Sequence, residues 1–193
     1  MSFHSQEHSE MQNFNMDNIK RGMIHIYCGD GKGKTTAALG LALRAAGAGM
    51  KVYILQFLKS SGSSEYNSIS KIDNIKITSA QNKVKFVFNM SESEKKELTE
   101  DNNRIFCDIV KKSKSNEFDV LVLDEIIGCV ECGVIDEDLI LNFLENKPDG
   151  LEIIMTGRNP SERLIQCADY VSCITKVKHP FDNGENARKG IEF

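Results

Sequence analysis

Ile24-His25-Ile26-Tyr27-Cys28-Gly29-Asp30-Gly31-Lys32-Gly33-Lys34-Thr35-Thr36 runs from a β-branched and aromatic stretch into three glycines at alternate positions. A lysine and two threonines then open an Ala/Leu-rich segment, Ala37 to Ala46. That order predicts strand, phosphate loop and helix. Glycine-rich backbone lets successive N–H groups turn inward onto an anion, and the helix N-terminus adds the positive end of its dipole. Lys34 is spaced to reach the terminal phosphates of a nucleotide, and the Thr35 hydroxyl to ligate Mg²⁺. The nucleotide-binding candidates are therefore Gly29, Asp30, Gly31, Lys32, Gly33, Lys34, Thr35 and Thr36. Against G-x-x-x-x-G-K-[ST], the chain supplies Gly33-Lys34-Thr35 but places Cys28 at the first glycine position. Gly29 holds the position of the second lysine of switch-type ATPases, so Lys32 is not that residue. A Gly-rich turn that binds nothing is the plain alternative, and the flanking strand and helix patterns weigh against it.

A second signal lies downstream. Phe118-Asp119-Val120-Leu121-Val122-Leu123-Asp124-Glu125 is an apolar strand ending in two acids. A P-loop protein places carboxylates beside Mg²⁺ in this way, although strand-end acids also cap a following helix. With the loop at Gly29–Thr36, Asp124 and Glu125 become metal candidates alongside Thr35.

Between and after these two stretches, strand and helix patterns alternate. Lys51 to Phe57 reads as a buried strand, Lys59 to Ser70 as a Ser/Gly-rich loop, and Ile75 to Thr78 as a short strand. Lys83 to Met90 carries Phe86 and Phe88 in a pattern that also fits a strand with one buried face. Ser91-Glu92-Ser93-Glu94 is a capping box that starts a helix to about Ser113, with Leu98, Ile105, Phe106, Ile109 and Val110 as its apolar face. Asp136 to Glu145 reads as a helix, Leu151 to Thr156 as a strand ending in Gly157-Arg158, Pro160 to Cys167 as a helix, and Asp169 to Thr175 as a last strand. Such alternation predicts an α/β fold: one P-loop NTPase-like domain, mainly parallel sheet, with helices on both faces and ligands at the carboxyl ends of the strands. Residues 1–21 are polar and read as a flexible N-terminal segment, leaving 22–193 as the domain.

Bulk properties fit a soluble globular chain. At 193 residues it is long enough to bury about 70% of its unfolded surface. A net charge of −4 gives no global attraction for nucleic acid or an anionic membrane. No apolar run approaches the ~18 residues of a membrane span, and the N-terminus lacks the apolar core of a signal peptide, so a cytoplasmic protein is expected. The six cysteines suit reduced thiols, and the single C-x-x-C at Cys129 and Cys132 has no matching second pair for a zinc site. The four histidines form no metal-type cluster, and mid-strand His25 reads as structural.

From about Met23 to Phe193 the sequence resembles the P-loop type ATP:corrinoid adenosyltransferases of cobalamin synthesis and salvage. The resemblance rests on GDGKGKTTAALGLALRAAG, QFLK, VLVLDE, IIMTGR and, most specifically, the tail ADYVSCITKVKHPFDNGENARKGIEF. It implies that the Co(I) centre of a reduced corrinoid such as cob(I)alamin attacks C5′ of ATP, forming adenosylcobalamin and releasing triphosphate. Lys34 and Mg²⁺ would stabilise the leaving triphosphate. Thr35 and Glu125, with Asp124 beside them, match the family's metal positions. Thr36, Arg44 and Arg158 match further nucleotide contacts. Phe86 and Phe88 match an aromatic pair that packs on the lower corrin face and excludes the axial base. The resemblance further implies a homodimer, an electron-donating flavoprotein, and an N-terminal segment that covers a site. Two departures stand out: Asp30 replaces a usual asparagine, which predicts weaker nucleotide affinity, and Phe88 replaces a common tryptophan. A P-loop ATPase or kinase, and a non-catalytic nucleotide- or corrinoid-binding regulator, are the competing functions.

Overall fold

The computed structural model describes residues 21–59, 64–81 and 87–191. Six parallel strands form one sheet: β1 (Ile24–Cys28), β2 (Val52–Gln56), β3 (Ile75–Ser79), β4 (Val120–Asp124), β5 (Glu152–Thr156) and β6 (Tyr170–Cys173), in the order β3-β2-β4-β5-β1-β6. The helices between them are α1 (Lys34–Gly47), α2 (Ser64–Ile69), α3 (Glu92–Lys114), α4 (Ile126–Glu131), α5 (Glu137–Glu145) and α6 (Glu162–Cys167).

The strand period of two divides the core into two layers. Along β2 and β4, Val52, Ile54, Val120 and Val122 point to one face, where Ala38, Leu39, Ala42, Ala45 and Ala46 of α1 cover them. Tyr53, Leu55, Leu121 and Leu123 point to the other, against Phe106 and Ile109 of α3, Ile126 and Ile127 of α4, and Phe143 of α5. Small alanines on α1 let that helix lie close to the sheet, which fixes where its N-terminus sits. Every residue of β2 and β4 is buried, as parallel strands covered on both faces require. β6 is an edge strand with all four residues exposed.

Local chemistry accounts for the element ends. The capping box is formed: Ser91 Oγ accepts from the Glu94 N–H, and Glu94 Oε2 accepts from the Ser91 N–H at 2.7 Å. The buried stripe of α3 is Asn102, Phe106, Ile109 and Ser113, so two polar residues share the core face. Asn102 is accommodated by donating to the Val134 carbonyl at 2.8 Å.

α1 does begin at Lys34, the lysine read as opening it, with Gly33 in the left-handed conformation (φ 114°) as its N-cap. The structure departs from the sequence reading at several other elements. The stretch read as loop contains α2, held by the burial of Ile69 in the α1-side layer. One isoleucine and one half-buried tyrosine among polar residues leave almost no periodic signal. Val87–Asn89 is a 3-10 turn rather than strand, with Val87 inward and Phe88 exposed. Phe86 lies outside the described residues. α4 follows β4 at once through Glu125 (φ 63°), and its apolar sequence does not separate it from the strand before it. Cys129 is buried and Cys132 exposed, and burial pushes the Cys129 thiol far up, away from a reactive thiolate.

No helix among the described residues is long and apolar enough to cross a membrane. At the end of the sheet opposite the carboxyl ends of the strands, His25 Nε2 meets Glu152 Oε1 at 2.5 Å, and the Met23 N–H donates to Glu152 Oε2 at 2.7 Å. Burial opposes ionisation of Glu152, but the hydrogen bonds from His25 and Met23 outweigh it and hold the carboxyl below its ordinary value of 4.5. A depressed carboxylate contributes stability above its unfolded pKa and loses it as pH falls through the folded value. Glu152→Gln should therefore lower Tm at pH 7 and narrow its gap to wild type below about pH 4; thermal melts across pH 3–7 check this, and a pH-independent gap would contradict it.

Candidate nucleotide site

The loop after β1 and the carboxyl ends of β2, β4 and β5 meet in one place. α1 starts there with no acidic residue in its first turn and no side chain capping it. Its first-turn N–H groups, at Lys34, Thr35 and Thr36, have no intrahelical partners and so face outward as anion donors. Lys34 Nζ donates to the Gly31 carbonyl at 2.8 Å, folded back along the loop.

The first two loop glycines have another task. The Gly29 N–H donates to the Arg158 carbonyl at 2.9 Å, and the Gly31 N–H to the Ile174 carbonyl at 2.8 Å. A β-carbon at either position would sit 2.5 or 2.7 Å from the Ile174 oxygen, and Gly29 is also left-handed at φ 99°. These glycines clamp the loop to β5 and to the segment after β6. Asp30 joins the clamp: its Oδ1 accepts the Lys176 N–H at 2.9 Å. That bond, above all, holds its exposed carboxyl below the usual range. The carboxylate is thereby committed to the C-terminal tail.

Across the site, the Asp124 carboxylate is fully buried and accepts from four side chains. Thr35 Oγ1 at 2.9 Å and Thr156 Oγ1 at 2.7 Å donate to Oδ1. Lys59 Nζ at 2.8 Å and Gln56 Nε2 at 3.2 Å donate to Oδ2. Lys59 Nζ also lies 2.8 Å from Thr35 Oγ1, so one hydroxyl gives its proton to Asp124 and its lone pair to the ammonium. The Glu125 N–H is fixed to Thr156 Oγ1 at 2.9 Å. Its carboxyl is pushed up by burial first and by the Asp124 charge next, while Lys59, Lys34 and Arg158 pull it down.

These groups border a cavity of about 790 Å³. Loop residues Gly31 to Thr36, Lys59 and Glu125 form its polar wall; Leu39 and Leu43 of α1 and Ile191 of the tail give it an apolar side. Its oxygen donors are hard and sit where a cation, the Lys59 ammonium, already rests, which fits Mg²⁺. Among the described residues no group of three or more His, Cys, Asp or Glu could hold a metal unaided. Most ligands to such an ion must come from the nucleotide and water.

Of the residues singled out in the sequence, Gly31, Lys32, Gly33, Lys34, Thr35, Thr36 and Glu125 line this cavity, with Asp124 behind Thr35. Gly29 and Asp30 stand in the loop clamp instead. Arg158 is exposed at the end of β5, its charge acting on Asp30 and Glu125. Arg44 is not among the lining residues; it lies ten positions along α1 from Lys34, about 15 Å away along the axis. Phe88 is 80% exposed on its 3-10 turn. Sequence reasoning assigned no role to Lys59, Gln56 or Thr156. Gln56 and Thr156 carried a signal, as polar residues ending two otherwise apolar strands at the sheet's carboxyl edge, and Lys59 lies three residues beyond Gln56.

Residues 20–193 match the family described as ATP:corrinoid adenosyltransferase BtuR/CobO/CobP. The corrinoid adenosyltransferase of Escherichia coli K12 is 29% identical over 177 residues, spanning 90% of this chain and 87% of that protein. The corrinoid adenosyltransferase of Sinorhizobium sp. is 31% identical over 182 residues, spanning 90% and 81%. That of Pseudomonas aeruginosa is 28% identical over 184 residues, spanning 90% and 85%. Among solved structures, the KaiC-like protein PH0186 of Pyrococcus horikoshii OT3 superposes with a TM-score of 0.50 at 16% identity, covering 82% of this chain and 75% of that one. At that identity the likeness is one of fold.

Gly29→Ala tests the clamp. The substitution strains a left-handed residue and drives a β-carbon into the Ile174 carbonyl. It should destabilise by about 1–3 kcal/mol and expose the chain after Cys173 to protease; wild-type Tm and cleavage would show that the loop does not depend on the tail.

Proposed function

Because the chain belongs to the ATP:corrinoid adenosyltransferase BtuR/CobO/CobP family, it adenosylates corrinoids with ATP, and we propose that its phosphate loop does so by holding the triphosphate as a leaving group. The Co(I) substrate donates an electron pair to C5′ of ATP. A Co–C bond forms, the C5′–O5′ bond breaks with its pair going to triphosphate, and cobalt ends formally as Co(III). No proton need move.

Charge gathers on the departing triphosphate, and the residues are arranged to meet it. Lys34 leaves the Gly31 carbonyl for a phosphate oxygen, and the first-turn N–H groups of α1 point at the same anion. Thr36 and Arg158 add contacts; Arg44 stays a nucleotide contact on the resemblance alone. Thr35, Glu125 and Asp124 would hold Mg²⁺, which would neutralise part of the leaving group's charge. The observation that carries this reading is the single hydroxyl of Thr35, which opens α1 beside the phosphate donors and faces a cation through its lone pair.

Phe88, 80% exposed, and Phe86 are assigned to the lower corrin face, where they exclude the axial base and ease reduction of Co(II). A flavoprotein supplies that electron, and the working unit is a cytoplasmic homodimer whose residues 1–21 close over a site while 22–193 form the catalytic domain.

Two variants test the assignments in an anaerobic assay with Mg-ATP and chemically reduced cob(I)alamin, followed by visible absorbance. Lys34→Ala should lower the rate of forming the light-sensitive Co–C product by about 10²–10³-fold; unchanged turnover would sink the leaving-group role. Phe88→Ala should slow the reaction started from Co(II) with a reductant far more than the one started from Co(I). Equal losses would contradict the axial-base argument.

A further inference from the structure

Lys59 is held in place by more than its own side chain. It follows Leu58, a non-glycine residue in the left-handed conformation at φ 53°. The chain on either side is pinned: the Phe57 N–H donates to the Asp124 carbonyl at 2.9 Å, and Ser79 Oγ donates to the Lys59 carbonyl. A strained residue kept between two such anchors aims the next side chain in a set direction. That direction carries Nζ to 2.8 Å from both Thr35 Oγ1 and Asp124 Oδ2. Lys34, which also lines the cavity, is engaged with the Gly31 carbonyl. Asp124 has no exposure, and Lys59 is its ion-pair partner.

We propose that Lys59 is a built-in counter-cation that occupies the divalent-metal position between Thr35 and Asp124 in the nucleotide-free protein and gives it up only when the metal arrives with the triphosphate. A carboxylate with no access to water needs a positive partner at all times. The lysine fills that need between turnovers, using the Thr35 lone pair that a metal would take. A free divalent ion must displace an ammonium already paired with a carboxylate, so it binds poorly alone. The Mg-nucleotide complex brings its own oxygen ligands and offers the displaced ammonium phosphate oxygens in the same cavity, which Lys59 lines. The site is thus loaded with metal and nucleotide together. This rests on the reading above that Thr35 and Asp124 face the metal.

The test uses Mn²⁺ as probe, with the full chain and neither nucleotide nor corrinoid. Free Mn²⁺ is read by its electron paramagnetic resonance signal, and stability by thermal melts with and without the ion. Wild type should bind Mn²⁺ weakly and show almost no change in Tm. Lys59→Met and Lys59→Gln should bind Mn²⁺ at least about tenfold tighter, as expected for deleting a unit charge at this range. Their Tm should fall without metal and recover with it. Affinity equal to or weaker than wild type in both variants would overturn the proposal. So would variants that stay unfolded in saturating Mn²⁺, since an ion at that position should replace the ammonium. Because turnover is never read, failed adenosyl transfer beside a retained Mn²⁺ effect would count against the mechanism and leave the lysine's role standing.

Discussion

A fully buried carboxylate is the constraint on which the site is built. Asp124 ends the central strand β4, and its two oxygens take hydrogen bonds from β2 (Gln56), from the residues just past it (Lys59), from β5 (Thr156) and from the first turn of α1 (Thr35). Neighbouring strands and the phosphate helix are thereby locked to one point by charge. Removing any donor would leave part of a buried anion unsatisfied, which is far more costly than the bond itself. This is why the phosphate loop keeps its relation to the sheet's carboxyl edge, and why the same edge can present a cation position.

The loop is equally dependent on the tail. In a minimal phosphate loop, glycines free the backbone to wrap an anion. Here Gly29 and Gly31 spend their N–H groups on Arg158 and Ile174, and Asp30 secures Lys176. The first-turn N–H groups of α1 are among the donors at the cavity. The tail in turn supplies Ile191 to the cavity wall. Phosphate loop and C-terminal segment therefore form one structure, and the tail motif is tied to the candidate nucleotide site through contacts to the backbone rather than through a reactive side chain.

Much of this was legible in the sequence. Apolar runs of about strand length mark β2, β4 and β5 because buried parallel strands need no polar alternation, and Ser91 with Glu94 marks the start of α3 through a local capping bond. Gly33-Lys34-Thr35 and Asp124-Glu125 place the site because each lies at the end of such a strand. What stayed hidden depends on tertiary contacts. α2 is secured by Ile69 and Tyr66 packing on the α1-side layer, contacts that leave no period in so short a segment. α4 merges with β4 because both are apolar, and the break between them is a backbone angle at Glu125. Asp30 reads as a misplaced charge near phosphate until the tail is seen to accept it. Lys59 reads as the start of a surface loop until β3 and β4 are seen to aim it.

The central claim is that bond breaking occurs at C5′, with the phosphate loop gripping the leaving group. Phosphorus NMR of the products from anaerobic reaction of Mg-ATP with cob(I)alamin addresses it directly. Intact tripolyphosphate, one for each adenosylated corrinoid and without orthophosphate, is the predicted result. ADP or orthophosphate with the corrinoid unchanged would contradict it and identify the site as that of an ordinary phosphoryl-transfer enzyme.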